Sequence, residues 1–144
     1  MKKQGILHAQ LMAKLTSLRH NDSIAILDAG MAIPKGAAVI DLALVKGIPS
    51  FLDTLKAVLN EIIVEKYGIF KPMTEFNPEM YQYLNGIMPE QAEVLLPHEE
   101  FTEELKKAKV VVRTAEFGSC CNIILYSTSG RDYYVNKFNV GFDM

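Results

Sequence analysis

The sequence predicts an α/β protein: a largely parallel central sheet with helices on both faces. Two observations carry that expectation. Short apolar runs alternate along the chain with longer segments whose apolar residues recur at helical spacing, the pattern of strands buried on both sides by crossover helices. The 144 residues, 49% hydrophobic and 22% charged, have the size and balance of one ordinary globular domain spanning 1–144, and not of a disordered chain.

Taken in order, Leu7, Leu11, Leu15 and Leu18 recur at four, four and three, which predicts a first helix over 7–19. Ser23 to Leu27 is short and apolar, a buried strand ended by Asp28-Ala29-Gly30. Residues 31–35, with Pro34 running toward Gly36, read as a loop over the mouth of a site. A second strand is expected over 39–44, with Asp41 read as a solvated residue on its outer face rather than a partner behind the site.

Gly47-Ile48-Pro49-Ser50 punctuates the chain, and Ser50 with Asp53 three residues on forms a helix-starting cap. Leu52, Leu55, Leu59 and Ile62 share one face of that helix, widened by Phe51 and Val58. The β-branched run at its end leads into a strand over 61–70, with Gly68 as a bulge or bend. Asn77-Pro78 starts a short helix expected to end before Gly86. A strand over 92–96 meets a helix over 98–108 at Pro97-His98, with Phe101 and Leu105 inward and Glu103 pairing with Lys107. Strands over 110–113 and 122–125 follow, joined by a connector over 114–121 long enough to bind a ligand. The tail, 127–144, is rich in Tyr, Phe and Asn, and could add an edge strand or pack on a neighbour.

The composition excludes several classes. No apolar run approaches the roughly 20 residues that span a bilayer, and the basic start lacks a signal-like apolar core, so the chain is expected to be cytoplasmic and free of membrane contact. A formal net charge of −2, with no basic stripe, argues against nucleic acid. Cys120 and Cys121 are adjacent, which suits neither an ordinary disulfide nor a metal-ligand spacing. No phosphate-binding glycine loop, zinc-binding helix or nucleophile elbow is present.

Polar groups at strand ends remain: His20 before the first strand, Asp28 after it, His98 after another, and Asn122 beyond the loop that carries Cys120. Loops beyond the carboxyl ends of strands are where α/β sheets bind ligands. His20 could equally interact with the carbonyls ending the first helix, and Asp28 could simply make the turn. Such side chains suit proton transfer and the hydrogen bonding of many hydroxyls, which a sugar requires.

Several separated motifs carry a resemblance. Leu18-Arg19-His20-Asn21-Asp22, Asp28-Ala29-Gly30-Met31-Ala32-Ile33-Pro34, Ile40-Asp41-Leu42-Ala43 and Gly47-Ile48-Pro49-Ser50-Phe51 resemble the amino-terminal half of the D-ribose pyranase family, relatives of L-fucose mutarotase. Pro97-His98-Glu99-Glu100, Arg113-Thr114-Ala115-Glu116 and Asn122-Ile123-Ile124-Leu125 continue it in the same order. The resemblance implies a cofactor-independent isomerase that interconverts cyclic forms of a free monosaccharide, most often ribose. It implies a ring-shaped homo-oligomer, a pentamer or a decamer, with sites between subunits. It also implies His20 as proton donor, Asp28 and His98 as sugar-binding residues, and Cys120, Cys121 and Asn122 as a further sugar-binding segment. Within that segment only Asn122 fits the family pattern: at Cys120 the chain departs from the family, which usually has a tyrosine there, and a thiol offers neither the phenol's hydrogen bond nor its ring. An L-fucose-type or other hexose mutarotase, and a sugar-binding protein without turnover, are the alternatives.

Overall fold

The computed structural model describes residues 1–130. Its elements are α1 (Ala9–Thr16), β1 (Ser23–Leu27), β2 (Val39–Asp41), α2 (Phe51–Leu59), β3 (Val64–Phe70), α3 (Met73–Phe76), α4 (Pro78–Ile87), β4 (Ala92–Leu96), α5 (His98–Lys107), β5 (Val110–Arg113) and β6 (Ile123–Ser127). The strands form one six-stranded sheet in the order β2-β5-β1-β6-β3-β4. β1 with β5, β2 with β5 and β3 with β4 pair in parallel. β6 lies antiparallel between β1 and β3.

The direction of β6 follows from its connection. β5 and β6 are joined by 114–122, which carries no crossover helix, so the chain re-enters the sheet from the same end of the strands that it has just left and must run back. The sheet is therefore mixed but mostly parallel.

Period-two alternation sorts the strand side chains to two faces. Ile24, Ile26, Val110, Val112, Ile123 and Leu125 join Leu11 and Leu15 of α1, Phe51, Leu55 and Val58 of α2 and Leu84 of α4 in one core cluster. Ala25, Leu27, Val111 and Ile124 face the other way, against Phe101 and Leu105 of α5. Helices thus cover both faces. Each fully buried Leu, Ile or Phe contributes about 1.5–3 kcal/mol to this arrangement.

Several expected boundaries move, each for a physical reason. α1 begins at Ala9 because the His8 ring accepts the Leu11 N–H at 3.1 Å and caps the helix, leaving Leu7 outside and 68% exposed. β2 stops at Asp41, since beyond it the chain folds back on itself, Leu44 N–H donating to the Ile48 carbonyl. α4 runs through Gly86 to Ile87 because Leu84 and Ile87 are buried and anchor its last turn. The short α3, unforeseen, is pinned by the fully buried Met73. β3 starts at Val64, and its bulge lies at Glu65 rather than Gly68: Val64 pairs with Ser127 and Lys66 with Tyr126, leaving Glu65 as the extra residue. Gly68 is regularly paired, and a Cβ there would come within 2.6 Å of Leu96 Cδ1. On α5, Glu103 pairs with Lys106 at 2.8 Å and not with Lys107, which lies 3.7 Å from Glu104. The aromatic tail proposed to pack on a neighbour lies, apart from 127–130, outside the described residues.

Candidate functional site

The turning back of β6 creates the site. Because Ile26 pairs with Ile123, the residues just past the end of β1 and just before the start of β6 meet at one end of the sheet's central strands. Those residues are Asp28 and Asn122, 94 apart in sequence. Asp28 N–H donates to Asn122 Oδ1 at 3.0 Å, and Asn122 Nδ2 donates to Asp28 Oδ2 at 3.2 Å, a reciprocal pair that fixes both side chains. Asn122 is 1% exposed.

Asp28 also accepts the Gly30 N–H at 3.1 Å on Oδ1, and the amides of Met31 and Cys121 hydrogen-bond to its carboxylate. Burial pushes the Asp28 carboxyl above its ordinary value, against the opposing pull of Asn122 and these amides. The pair lies at a cavity of about 540 Å3 whose other walls include Met31, Phe70, Arg113 and residues 116–120. That volume is within the roughly 300–1,000 Å3 of small-molecule sites.

Loop 114–122 forms much of the wall and is tied down at several points. Thr114 Oγ1 donates to the Leu27 carbonyl at 2.7 Å. Glu116 accepts the Gly118 N–H on Oε1 at 2.9 Å and, on Oε2, the Phe51 N–H at 3.1 Å at the start of α2. Its carbonyl accepts Ala29 N–H at 2.9 Å. Asn77, which caps α4 through Met80 N–H, donates from Nδ2 to the Ser119 carbonyl at 3.0 Å. Arg113 donates from Nε to the Ala29 carbonyl and reaches both oxygens of Asp41 at 3.1 Å, so Asp41 steadies a wall residue instead of being merely solvated.

The expected site residues are placed unequally. Asp28, Asn122 and Cys120 line the cavity together. Cys120, at φ 58°, has its thiol held above the ordinary range by burial and by the Asp28 charge. Cys121 reaches the site through its amide, while its side chain is buried in the larger core cluster, near the Ser119 carbonyl and Asn77. Burial, with the charges of Glu116 and Asp28, pushes that thiol up to about 12. His98, the first residue of α5, is exposed and sits edge-on to Phe70, centroids 5.7 Å apart, but it does not line this cavity; it lines a separate depression with Leu96 and the outer residues of α5. His20 lies at the opposite end of β1, about 20 Å from Asp28 at roughly 3.3 Å per residue. It is exposed there, beside Thr128.

Sequence reasoning did not single out Phe70, Met31 or Arg113. Phe70 closes an apolar strand and carries no polar signal, and Met31 and Arg113 stood within motifs of the resemblance without any role attached to them. Among the described residues, no group of three or more His, Cys, Asp or Glu gathers in a way that could hold a metal ion, and no helix is long and apolar enough to cross a membrane.

The model of the RbsD / FucU transport protein family matches residues 1–129. The chain belongs to that family. Among curated RbsD/FucU relatives, a D-ribose pyranase of Geobacillus thermodenitrificans is 46% identical over 127 residues, covering 88% of this chain and 96% of that one. One from Clostridium perfringens is 40% identical over the same length, covering 88% and 97%. Among solved structures, that of Bacillus subtilis RbsD complexed with D-ribose superposes with a TM-score of 0.85 at 40% identity, covering 90% of this chain and 98% of that one. A fucose mutarotase from Streptococcus pneumoniae in complex with L-fucose, 21% identical with a TM-score of 0.65, shares the fold. It covers 83% of this chain and 91% of that one.

Proposed function

We propose that this protein is a D-ribose pyranase, an isomerase that interconverts the pyranose and furanose forms, and the anomers, of free ribose without a cofactor. The observation that carries the reading is the interlocked Asp28–Asn122 pair in a cavity of small-molecule size. It occurs in a chain 40% identical to an RbsD whose structure holds D-ribose.

The chemistry needs little machinery. A cyclic hemiacetal opens when the anomeric hydroxyl loses a proton and the ring oxygen gains one; closure through a different hydroxyl changes the ring size. Positioned acid–base groups are typically worth roughly 10² to 10⁴ in rate. In this reading Asp28 accepts hydrogen bonds from sugar hydroxyls, and Asn122 holds its carboxylate in place and contributes to the sugar's polar contacts. Phe70 offers an apolar face to the sugar C–H groups, and His98 orients hydroxyls at the rim. The Cys121 amide braces Asp28, and Cys120 takes the place of the family's tyrosine. His20 is the proton donor.

His20 and Asp28 lie at opposite ends of one strand, so a single chain cannot bring both to one sugar. The proposal therefore includes a closed homo-oligomer, a pentamer or decamer, in which His20 of the partner subunit completes the site. An exposed apolar cluster supports such contacts. Leu44, Val45 and Ile48 on one loop and Phe117 on the next are 56–77% exposed, and Lys46 Nζ lies 5.2 Å from the Phe117 ring.

Magnetisation-exchange NMR on equilibrated ribose tests the reading. Catalytic amounts of protein are expected to speed exchange between pyranose and furanose signals. Ribose that perturbs the protein's own signals without faster exchange would make it a binder. Faster exchange for L-fucose or another hexose than for ribose would shift the substrate, an outcome that the thiol at Cys120 specifically motivates.

A further inference from the structure

His20 is delivered by a braced turn. Asp22 Oδ2 accepts the Arg19 N–H at 2.8 Å and Lys109 Nζ at 3.0 Å. Asn21, at φ 70°, donates its N–H to the Ser127 carbonyl, and Ser127 N–H returns to the Asp22 carbonyl at 2.8 Å. The turn is thus laced to the end of β6. From there His20 Nδ1 stands 3.4 Å from Thr128 Oγ1, and the same hydroxyl is 3.2 Å from Glu65 Oε2. Thr128 is 7% exposed, and its N–H is fixed to the Ile63 carbonyl. Glu65 is the extra residue of the β3 bulge, the device by which a strand re-aims one side chain without losing its register on both sides.

We propose that Thr128 and Glu65 are positioning residues for His20, forming a carboxylate–hydroxyl–imidazole relay that sets which ring nitrogen works on the sugar. A hydroxyl has one proton to donate, and an ionised carboxylate can only accept. The Thr128 proton therefore goes to Glu65. Its oxygen then presents a lone pair to His20, and Nδ1 must be the nitrogen that carries hydrogen. Nε2 is left facing away from the relay, as a lone pair when the ring is neutral and as an N–H when it is charged. Proton uptake and delivery both occur at Nε2, on a ring whose orientation is held from behind.

The catalytic half of this inference rests on the proposed ribose exchange, but the tautomer does not, so the two are tested separately. The chain has three histidines, and ring nitrogen-15 shifts, assigned by the loss of one set in His20→Ala, report the tautomer of His20 whether or not the protein is an enzyme. The wild type is expected in the Nδ1–H form, and Thr128→Val, which keeps the shape and removes the hydroxyl, is expected to lose that preference. Deleting one hydrogen bond of this kind is expected to lower kcat about three- to tenfold, with KM little changed. Thr128→Ser is expected to restore both readouts, and Glu65→Gln to weaken the tautomer preference without unfolding the protein. A wild-type Nε2–H tautomer overturns the relay, as does a folded Thr128→Val protein with wild-type ring shifts. If no variant exchanges ribose, the proposed function fails, and the relay is judged on the tautomer.

Discussion

Asp28 is the residue on which the site turns, and its carboxyl is held above the ordinary range chiefly by burial. The sign of the consequence follows from linkage. The folded chain holds this proton more tightly than the unfolded one, so the contribution of Asp28 to stability is greatest below the unfolded value of about 3.9. It is lost as pH rises through the raised folded value. Ionised Asp28 therefore costs the fold something, which the hydroxyls of the proposed sugar would offset by hydrogen-bonding to it. Ribose affinity is expected to weaken as pH falls through a midpoint above the ordinary carboxylate range, and a flat profile over that range in isothermal titration would contradict it. Cys120 lines the cavity of about 540 Å3, where a larger side chain would face the ligand space. Cys120→Tyr is expected to add a hydrogen bond worth roughly 0.5–1.5 kcal/mol and tighten ribose about threefold to tenfold. Weaker binding by the tyrosine variant would mean that the cavity has been reshaped around the thiol.

At the scale of elements, the wall formed by 114–122 depends heavily on one half-buried side chain. Glu116 joins the loop to the N-terminus of α2, where an acceptor meets an orphan amide in the favourable half of the helix dipole. The same carboxylate closes the loop on itself through the Gly118 N–H, whereas the tie to the turn after β1 is made by the Glu116 backbone carbonyl to the Ala29 amide and survives loss of the side chain. Glu116→Ala is expected to destabilise the fold by about 1–2 kcal/mol and to raise KM for ribose more than it lowers kcat. Urea unfolding at fixed protomer concentration, set beside steady-state exchange rates, checks both. An unchanged KM would show that the loop holds its shape without this tie.

For the whole molecule, the separation of His20 from Asp28 along β1 carries the strongest expectation. If each site takes His20 from one subunit and Asp28 from its neighbour, His20→Ala and Asp28→Asn proteins are each inactive. Rings assembled from an equal mixture then contain sites with both native residues. Random assembly makes these about a quarter of all sites, so the mixture should recover about a quarter of wild-type exchange after co-refolding. Mixed rings as inactive as their parents would place both residues in one chain's site, against the strand geometry. Analytical ultracentrifugation showing a monomer at micromolar concentration would remove the basis for the expectation altogether.

By itself, the sequence determined the alternation of strands and helices, the inward faces of α2 and α5, the caps at Ser50 and Asn77, and the candidacy of Asp28, His98 and Asn122. All of these are local properties: a two-residue or 3.6-residue period, a cap, a polar residue at the end of an apolar run. Tertiary structure alone decided that β6 runs against its neighbours, because strand direction depends on the end of the sheet at which a loop returns the chain. It decided that Asp28 and Asn122 interlock across 94 residues, and that Cys120 faces the cavity while Cys121 turns into the core. It also decided that Glu65, one charge in a strand of ordinary composition, is swung by a bulge toward Thr128 and His20. Pairing register is a relation between distant segments, and no periodicity within either segment encodes it.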